Sequence, residues 1–361
     1  MALKAPVPQN LNGTALENDL WFSCQPLMGH RHIMIRCLKR IALALGLLLG
    51  SITFIVWFLW IPSAQEPTYI FYEAWGEAGS NPSQFRDPTG IAVTADEVFV
   101  SDARNSRIQV FDHHGRFKHQ ITGRGLPAAE LGRPMNLDIH RGELYAADYW
   151  NDCIQVYALD GTHRHNIGTN GSEPGQFNSP GGVAVDVPGE IYVADFYNQR
   201  IQHLNADGQF IEQWGITGTV GFVSGEFNYP TDVAIGLDGQ IIVGDGYNDR
   251  IQVFDSAGSF VNKWGGPLAM NIFGPFPGWF ATVTSVAVGP QGNVFVADFY
   301  NNRVQKFSAK GLFLTSFGGS GTGPGQFSYI MAVAVAPDGT VFATDLGNNR
   351  VLSFRPDPEN N

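Results

Sequence analysis

The chain has 361 residues, a hydrophobic share of 44%, and 33 acidic against 22 basic side chains, for a formal net charge of −11. That apolar content supplies a core and argues against a disordered chain, while the acidic balance excludes a general affinity for phosphate backbones, so nucleic acid is not expected as a partner. Three cysteines, Cys24, Cys37 and Cys153, are too few for a disulfide framework.

Residues 1–40 read as an N-terminal tail. Its first 30 positions lack periodicity, with Met28 and Met34 as alternative translation starts, and it ends in the basic flank Arg31, Arg36, Lys39 and Arg40. From Ile41 to Ile61 no charge occurs. At about 1.5 Å per residue, a helix over that run spans a hydrocarbon core of about 30 Å. Trp57 and Trp60 stand at its far end, where indoles favour the membrane interface. A cleaved signal peptide is the rival reading, but its apolar region is usually about 7–15 residues. We expect an uncleaved transmembrane helix over 41–61, with the N-terminus cytoplasmic because positive charge precedes the span, and everything after it extracytoplasmic. Residues 62–68 then form a short linker. Beyond residue 65 remain 17 of the 22 basic and 31 of the 33 acidic residues.

Residues 69–355 are built from one phrase, clearest as Ala297-Asp298-Phe299-Tyr300-Asn301-Asn302-Arg303-Val304-Gln305. Its aspartates are Asp102, Asp148, Asp195, Asp245, Asp298 and Asp345, a repeat length that signals a propeller or solenoid. An asparagine follows three residues after each, and an arginine two further on in every copy but the second, where Cys153 stands. Around each phrase lie four short alternating stretches, with Gly, Asp and Asn between them, which argue strand and not helix. Four strands repeated six times make an all-β fold, a six-bladed β-propeller. The Val-Ala-Asp-x-x-Asn-x-Arg-Ile-Gln run, with its upstream Gln-Phe and Pro-x-Gly-Val-Ala-Val, resembles the NHL-repeat family across this whole region. No Gly-His…Trp-Asp signature of WD40 repeats recurs.

Two ends are left over. Tyr69 to Trp75 is a strand without a unit of its own, and the last unit closes at Phe354 without a fourth strand. We expect residues 69–75 to complete the sixth blade, antiparallel to residues 350–354, and residues 356–361 to form a C-terminal tail.

A residue present in every blade serves the blade, so the repeated Asp, Asn and Arg are read as turn and cross-hairpin partners. Function is sought where the copies differ. The two positions after each aspartate vary, giving Arg104, Trp150, Tyr197, Tyr247 and Tyr300 at hairpin tips; the turns leading into the innermost strands add Asp87, Arg133, Asn136, Asp232, Thr284 and Ser285. We expect Arg104, Arg133, Trp150, Tyr197, Asp232, Tyr247 and Tyr300 to gather on one face around the channel mouth, as a binding surface for a protein or small-molecule ligand. Two lead-in loops are enlarged, 215–226 and 267–282, the second carrying Phe273, Phe276, Trp279 and Phe280.

The family resemblance also raises an enzyme as the alternative. Some NHL-like propellers are amidating lyases with zinc-binding histidines near the channel, and lactonase-like propellers hold calcium on channel carboxylates. Here the histidines His113, His114, His119, His163, His165 and His203 fall on outer strands or turns, and only Asp138 and Asp232 near Asn136 suggest a calcium site. Neither a catalytic residue, a metal nor a cofactor is assigned. Eukaryotic NHL proteins often carry a RING, but no Cys/His zinc spacing occurs here. The sequence thus points to a membrane-anchored binding or scaffolding module.

Overall fold

The computed structural model describes residues 27–357. Most of the expected N-terminal and C-terminal tails, and the side chains of residues 27–33 and 55–60 with Trp57 and Trp60 among them, lie outside the described residues. The chain divides between Trp57 and Phe58 into two compact units. The described part of the first is helical throughout, belonging to the helix Leu27–Trp60, whose last three residues fall past the division. It starts earlier than the apolar run, so the basic flank and the span form one continuous helix; within it Met34–Phe54 is long and apolar enough to cross a membrane.

The second unit is a ring of six four-stranded antiparallel blades. Blade one runs outward through Pro88–Val93, Val98–Asp102, Arg107–Phe111 and Phe117–Ile121. Blade six takes Ile330–Val335, Val341–Asp345 and Arg350–Pro356 from the end of the chain, and its outermost strand, Tyr69–Trp75, from the beginning. The pairing is antiparallel from Tyr69 opposite Pro356 to Trp75 opposite Val351, as the leftover strand implied. The core lies between blades rather than within one. Val156 and Ile167 of blade two, for example, pack with Val183 and Val193 of blade three. Burying each such side chain is worth about 1.5–3 kcal/mol.

The repeated phrase is a buried polar clamp. In blade one, Asp102 Oδ1 accepts the Arg86 N–H at 2.7 Å, while Oδ2 accepts from Arg107 Nε at 2.7 Å and from the Asn105 and Gln109 amides at 2.9 and 3.1 Å. Arg107 Nη2 in turn donates to the Asn81 and Gln84 carbonyls, both at 2.8 Å. The aspartate thereby joins the hairpin to the lead-in loop. The Gly that ends the outer strand of blade three belongs to the same joint: Gly215 has φ +92°, and a Cβ there would lie 2.8 Å from the Phe227 ring of the next lead-in loop. Only glycine allows both the backbone and the close approach.

Blade two lacks the arginine. There the Tyr157 hydroxyl sits between the Ala129 carbonyl, at 2.5 Å, and the Gln155 amide, while the Gln155 and Asn151 amides hold the Glu130 carbonyl at 3.0 and 2.8 Å. Burial, with the charges of Asp148 and Asp152 beside it, pushes the Cys153 thiol up to about 12. A thiol so protonated is inert as a nucleophile or metal ligand.

A second set of bonds runs from blade to blade. The residue just before each arginine position is left-handed in every copy: Ser106, Asp152, Gln199, Asp249, Asn302 and Asn349, with φ between +51° and +59°. That geometry turns a short polar side chain toward the next blade. Asp152 accepts the Ser179 N–H, Gln199 the Tyr229 N–H and Asp249 the Thr282 N–H, each at 2.6 Å. Asn302 accepts the Tyr329 N–H at 2.5 Å, Ser106 donates to the Gly132 carbonyl at 2.7 Å, and Asn349 closes the circle to the Asp87 N–H at 3.4 Å.

The linker is docked. Gln65 and Glu66 donate backbone N–H groups to the Leu314 carbonyl at 2.7 and 3.1 Å, and the Thr68 hydroxyl donates to the Ser316 carbonyl at 3.0 Å. Glu66 pairs at 2.5 Å with Lys306, whose ammonium lies over the Tyr69 and Phe295 rings.

Candidate binding site at the channel mouth

The tips of the second hairpins carry the aromatic residues because each tip follows its buried aspartate by one or two positions. The side chains interlock across blades. The Arg133 guanidinium lies 5.6 Å over the Tyr149 ring and 5.9 Å over Trp150. The Tyr149 hydroxyl donates to the Tyr197 hydroxyl at 3.0 Å, Tyr197 meets Tyr229 edge-on at 5.9 Å, and Tyr229 meets Tyr247 at 5.1 Å. Across the ring Tyr300 stands edge-on to Phe299 and Tyr329. Trp150, Tyr197, Tyr247 and Tyr300 remain 58%, 45%, 52% and 62% exposed, so the collar is ordered by its neighbours yet open. Burial and the hydrogen bond to Tyr197 push the Tyr149 hydroxyl up to about 12, keeping it a neutral donor.

Inside the collar lies a depression of about 310 Å³ whose walls include Arg133, Tyr149, Phe196, Tyr247, Phe299 and Tyr300. Thr284 and Asn136 form part of its lining. Two polar atoms there, Thr284 Oγ1 and Arg133 Nε, are buried without a hydrogen-bond partner. An orphan of that kind costs about 1–3 kcal/mol. Below, the Asn136 amide reaches from blade two to the Thr284 carbonyl of blade five at 3.3 Å. This contact forms a waist, and a separate chamber of about 260 Å³ opens beneath it.

The expected residues therefore divide. Arg133, Tyr247 and Tyr300 line the depression, with Trp150 and Tyr197 on its collar. Arg104 stands at the tip of blade one, pairs with Asp87, and is not among the lining residues. Asp232 faces the lower chamber with Asp138 and not the aromatic mouth. It occupies the strand position equivalent to Asn136, but its carboxylate turns to the lower chamber, where it accepts the Val286 N–H at 3.0 Å. Burial, together with the nearby Asp138 charge, pushes it up to about 7 against its hydrogen bonds to Val286 and Ser285. Asp138 likewise spends its oxygens on the Val185 and Ile139 N–H groups. Among the described residues no group of three or more His, Cys, Asp or Glu is placed to hold a metal ion. Sequence reasoning missed the first tip positions, Tyr149, Phe196 and Phe299, which face inward, and Tyr229 and Tyr329, which precede the innermost strands. Their aromatic character at a fixed offset was the available signal.

With four strands per blade, six blades and the clamp in place, comparison with known proteins becomes informative. The NHL repeat profile matches residues 85–111, 177–204, 227–254 and 280–307, in blades one, three, four and five. This is an NHL-repeat propeller. The unmatched blades are those where Cys153 replaces the arginine and Leu352 the glutamine of the phrase. Among curated proteins the NHL propeller is similar to the Drosophila melanogaster Protein brain tumor, 38% identical over 73 residues, covering 20% of this chain and 7% of that protein. It is also similar to the Caenorhabditis elegans B-box type zinc finger protein ncl-1, 46% identical over 52 residues, covering 14% and 6%. The chain thus matches only a small part of either relative's length. Among solved structures it resembles a streptogramin B lyase, with a TM-score of 0.55 and 16% identity over 80% of this chain and 98% of that one, a likeness of fold.

Proposed function

We propose that this NHL propeller is a membrane-anchored, extracytoplasmic binding module that holds a protein partner at its aromatic mouth. The observation that carries this reading is the pair of unpartnered buried groups, Thr284 Oγ1 and Arg133 Nε, in the lining of the depression inside the collar. A partner side chain with an acceptor atom satisfies such groups, and Tyr and Trp at the collar supply rigid contact area at low entropic cost. The apolar helix and the basic residues before its uncharged run support the anchor and its orientation.

The test places a photoreactive phenylalanine analogue at Tyr300, or at Val187 as a distant exposed control, in the full chain in its own membrane. We expect a partner adduct from Tyr300 alone, weakened by Trp150→Ala by about 2 kcal/mol of affinity where that ring is a hot spot. Equal adducts at Val187 refute the mouth as the site. Protease added to intact cells reaches the propeller on this reading; a protected propeller with an accessible N-terminus reverses the orientation.

A further inference from the structure

The two enlarged loops form a patch that the mouth does not explain. Residues 215–225 and 264–297 contain no charged residue, in a region where acids outnumber bases. Their apolar side chains point outward: Phe222, Val223, Leu268, Met270, Ile272 and Phe273 are 62%, 52%, 62%, 52%, 44% and 73% exposed. The loops are held together as one surface. Buried Arg250 donates from Nη1 to the Phe222 carbonyl at 2.6 Å and the Ala269 carbonyl at 3.3 Å, and from Nη2 to the Val223 and Glu226 carbonyls at 2.9 Å. Soluble surfaces seldom leave contiguous apolar area of this kind uncovered.

The chain itself indicates what covers it. Pro62, the first residue after the uncharged run, lies against the second loop: a Cβ on Gly278 would be 3.2 Å from the Pro62 ring. Pro62 also lines an apolar hollow of about 380 Å³ with Leu268, Trp279 and Leu312. Each residue of extended chain reaches at most about 3.6 Å, so the patch is tethered within a few residues of the apolar span. The charges bordering this hollow, Lys263 and Lys310 on the adjoining turn, are basic, which suits anionic headgroups.

We propose that loops 215–225 and 264–282 form a second membrane contact, seating this rim of the propeller in the headgroup region of the bilayer that holds its own helix. The inference rests on the anchor reading. Seated as deep as an interfacial amphipathic helix, about 5–10 Å, the loops leave the rest of the ring in water.

The experiment uses the full chain with Cys24→Ser and Cys37→Ser, since Cys153 is buried. It is reconstituted into vesicles of phosphatidylcholine and phosphatidylglycerol, and an environment-sensitive fluorophore is attached at F273C, F222C or V187C. Flotation of the vesicles reports the anchor; quenching by lipids brominated on the acyl chain reports the patch. We expect flotation of all three, with a blue shift and bromolipid quenching at F273C and F222C and neither at V187C. Chains that float with loop labels as unquenched by bromolipid as V187C overturn this inference alone. Loop labels shielded from aqueous iodide yet untouched by bromolipid assign the patch to a second copy of the chain, and also overturn it. Failure to float overturns the anchor and the inference together.

Discussion

Replacing Arg250 with methionine tests whether the repeated clamp holds the blades. Arg250 and Asp245 are both fully buried and meet at 2.7 Å. The substitution keeps much of the side-chain volume but leaves Asp245 without a cation and releases four loop carbonyls. Removing one partner of a buried pair costs about 3–5 kcal/mol. At roughly 2–4 °C per kcal/mol, that lowers the melting temperature by about 6–20 °C. The penalty also depends on pH. Burial already raises Asp245 above the ordinary carboxylate range even with Arg250 present. A raised acid is tolerated while protonated and loses stability as pH climbs from its unfolded value through its folded one. Without Arg250 it rises further, so the difference between variant and parent should be smaller near pH 5 than near pH 8. The other blades provide a graded control. Their arginine side chains are 1% exposed at Arg200, 7% at Arg107, 13% at Arg303 and 16% at Arg350, and the cost of the same substitution should fall in that order. Thermal unfolding of the reconstituted full chain reads both trends. Arg350→Met costing as much as R250M, or an R250M penalty that does not change with pH, refutes the reasoning.

Three further outcomes follow from the same geometry. Deleting residues 69–75 leaves the final strand as an open edge, so hydrogen exchange should accelerate in blades six and one before blade three; an unchanged melting temperature sinks the seam argument. Cys153→Arg, although it restores the repeated phrase, should destabilise by about 1–3 kcal/mol through overpacking, because this lead-in loop is already held by Tyr157 at the Ala129 carbonyl and by Gln155 and Asn151 at the Glu130 carbonyl; a stabilised variant shows that the arginine fits. Asp232→Asn should remove a loss of stability that the parent shows as pH rises from about 4 through about 7, and parallel melting curves for the two proteins over that range contradict it.

Much of this was legible in the chain. The Asp-Asn-Arg phrase declared its structural role because it appears in blades with very different tips, and Tyr69 to Trp75 declared the seam by having no unit of its own. The blade-to-blade bonds were not read, although all six positions are polar and five are Ser, Asp or Asn. Four of them accept backbone N–H groups about thirty residues away, and a backbone partner leaves no pattern in a sequence. The depth of a residue in the channel was hidden for a related reason. Asn136 and Asp232 occupy equivalent strand positions, yet Asn136 crosses to Thr284 and borders both chambers, whereas Asp232 is confined to the lower one. Glu66 gave no sign in the linker that it would reach Lys306.

The docked linker has a mechanical consequence. Tension on the chain before Pro62 would travel along the backbone toward Tyr69, where the closing ladder begins opposite Pro356. An antiparallel ladder loaded at its end peels one pair at a time and resists little. The load first meets the Glu66–Lys306 pair, the two N–H bonds to Leu314 and the Thr68 bond to Ser316, all anchored on blade five. These contacts act as strain relief: force is borne by an interior blade, and the joint that makes the ring a ring is spared.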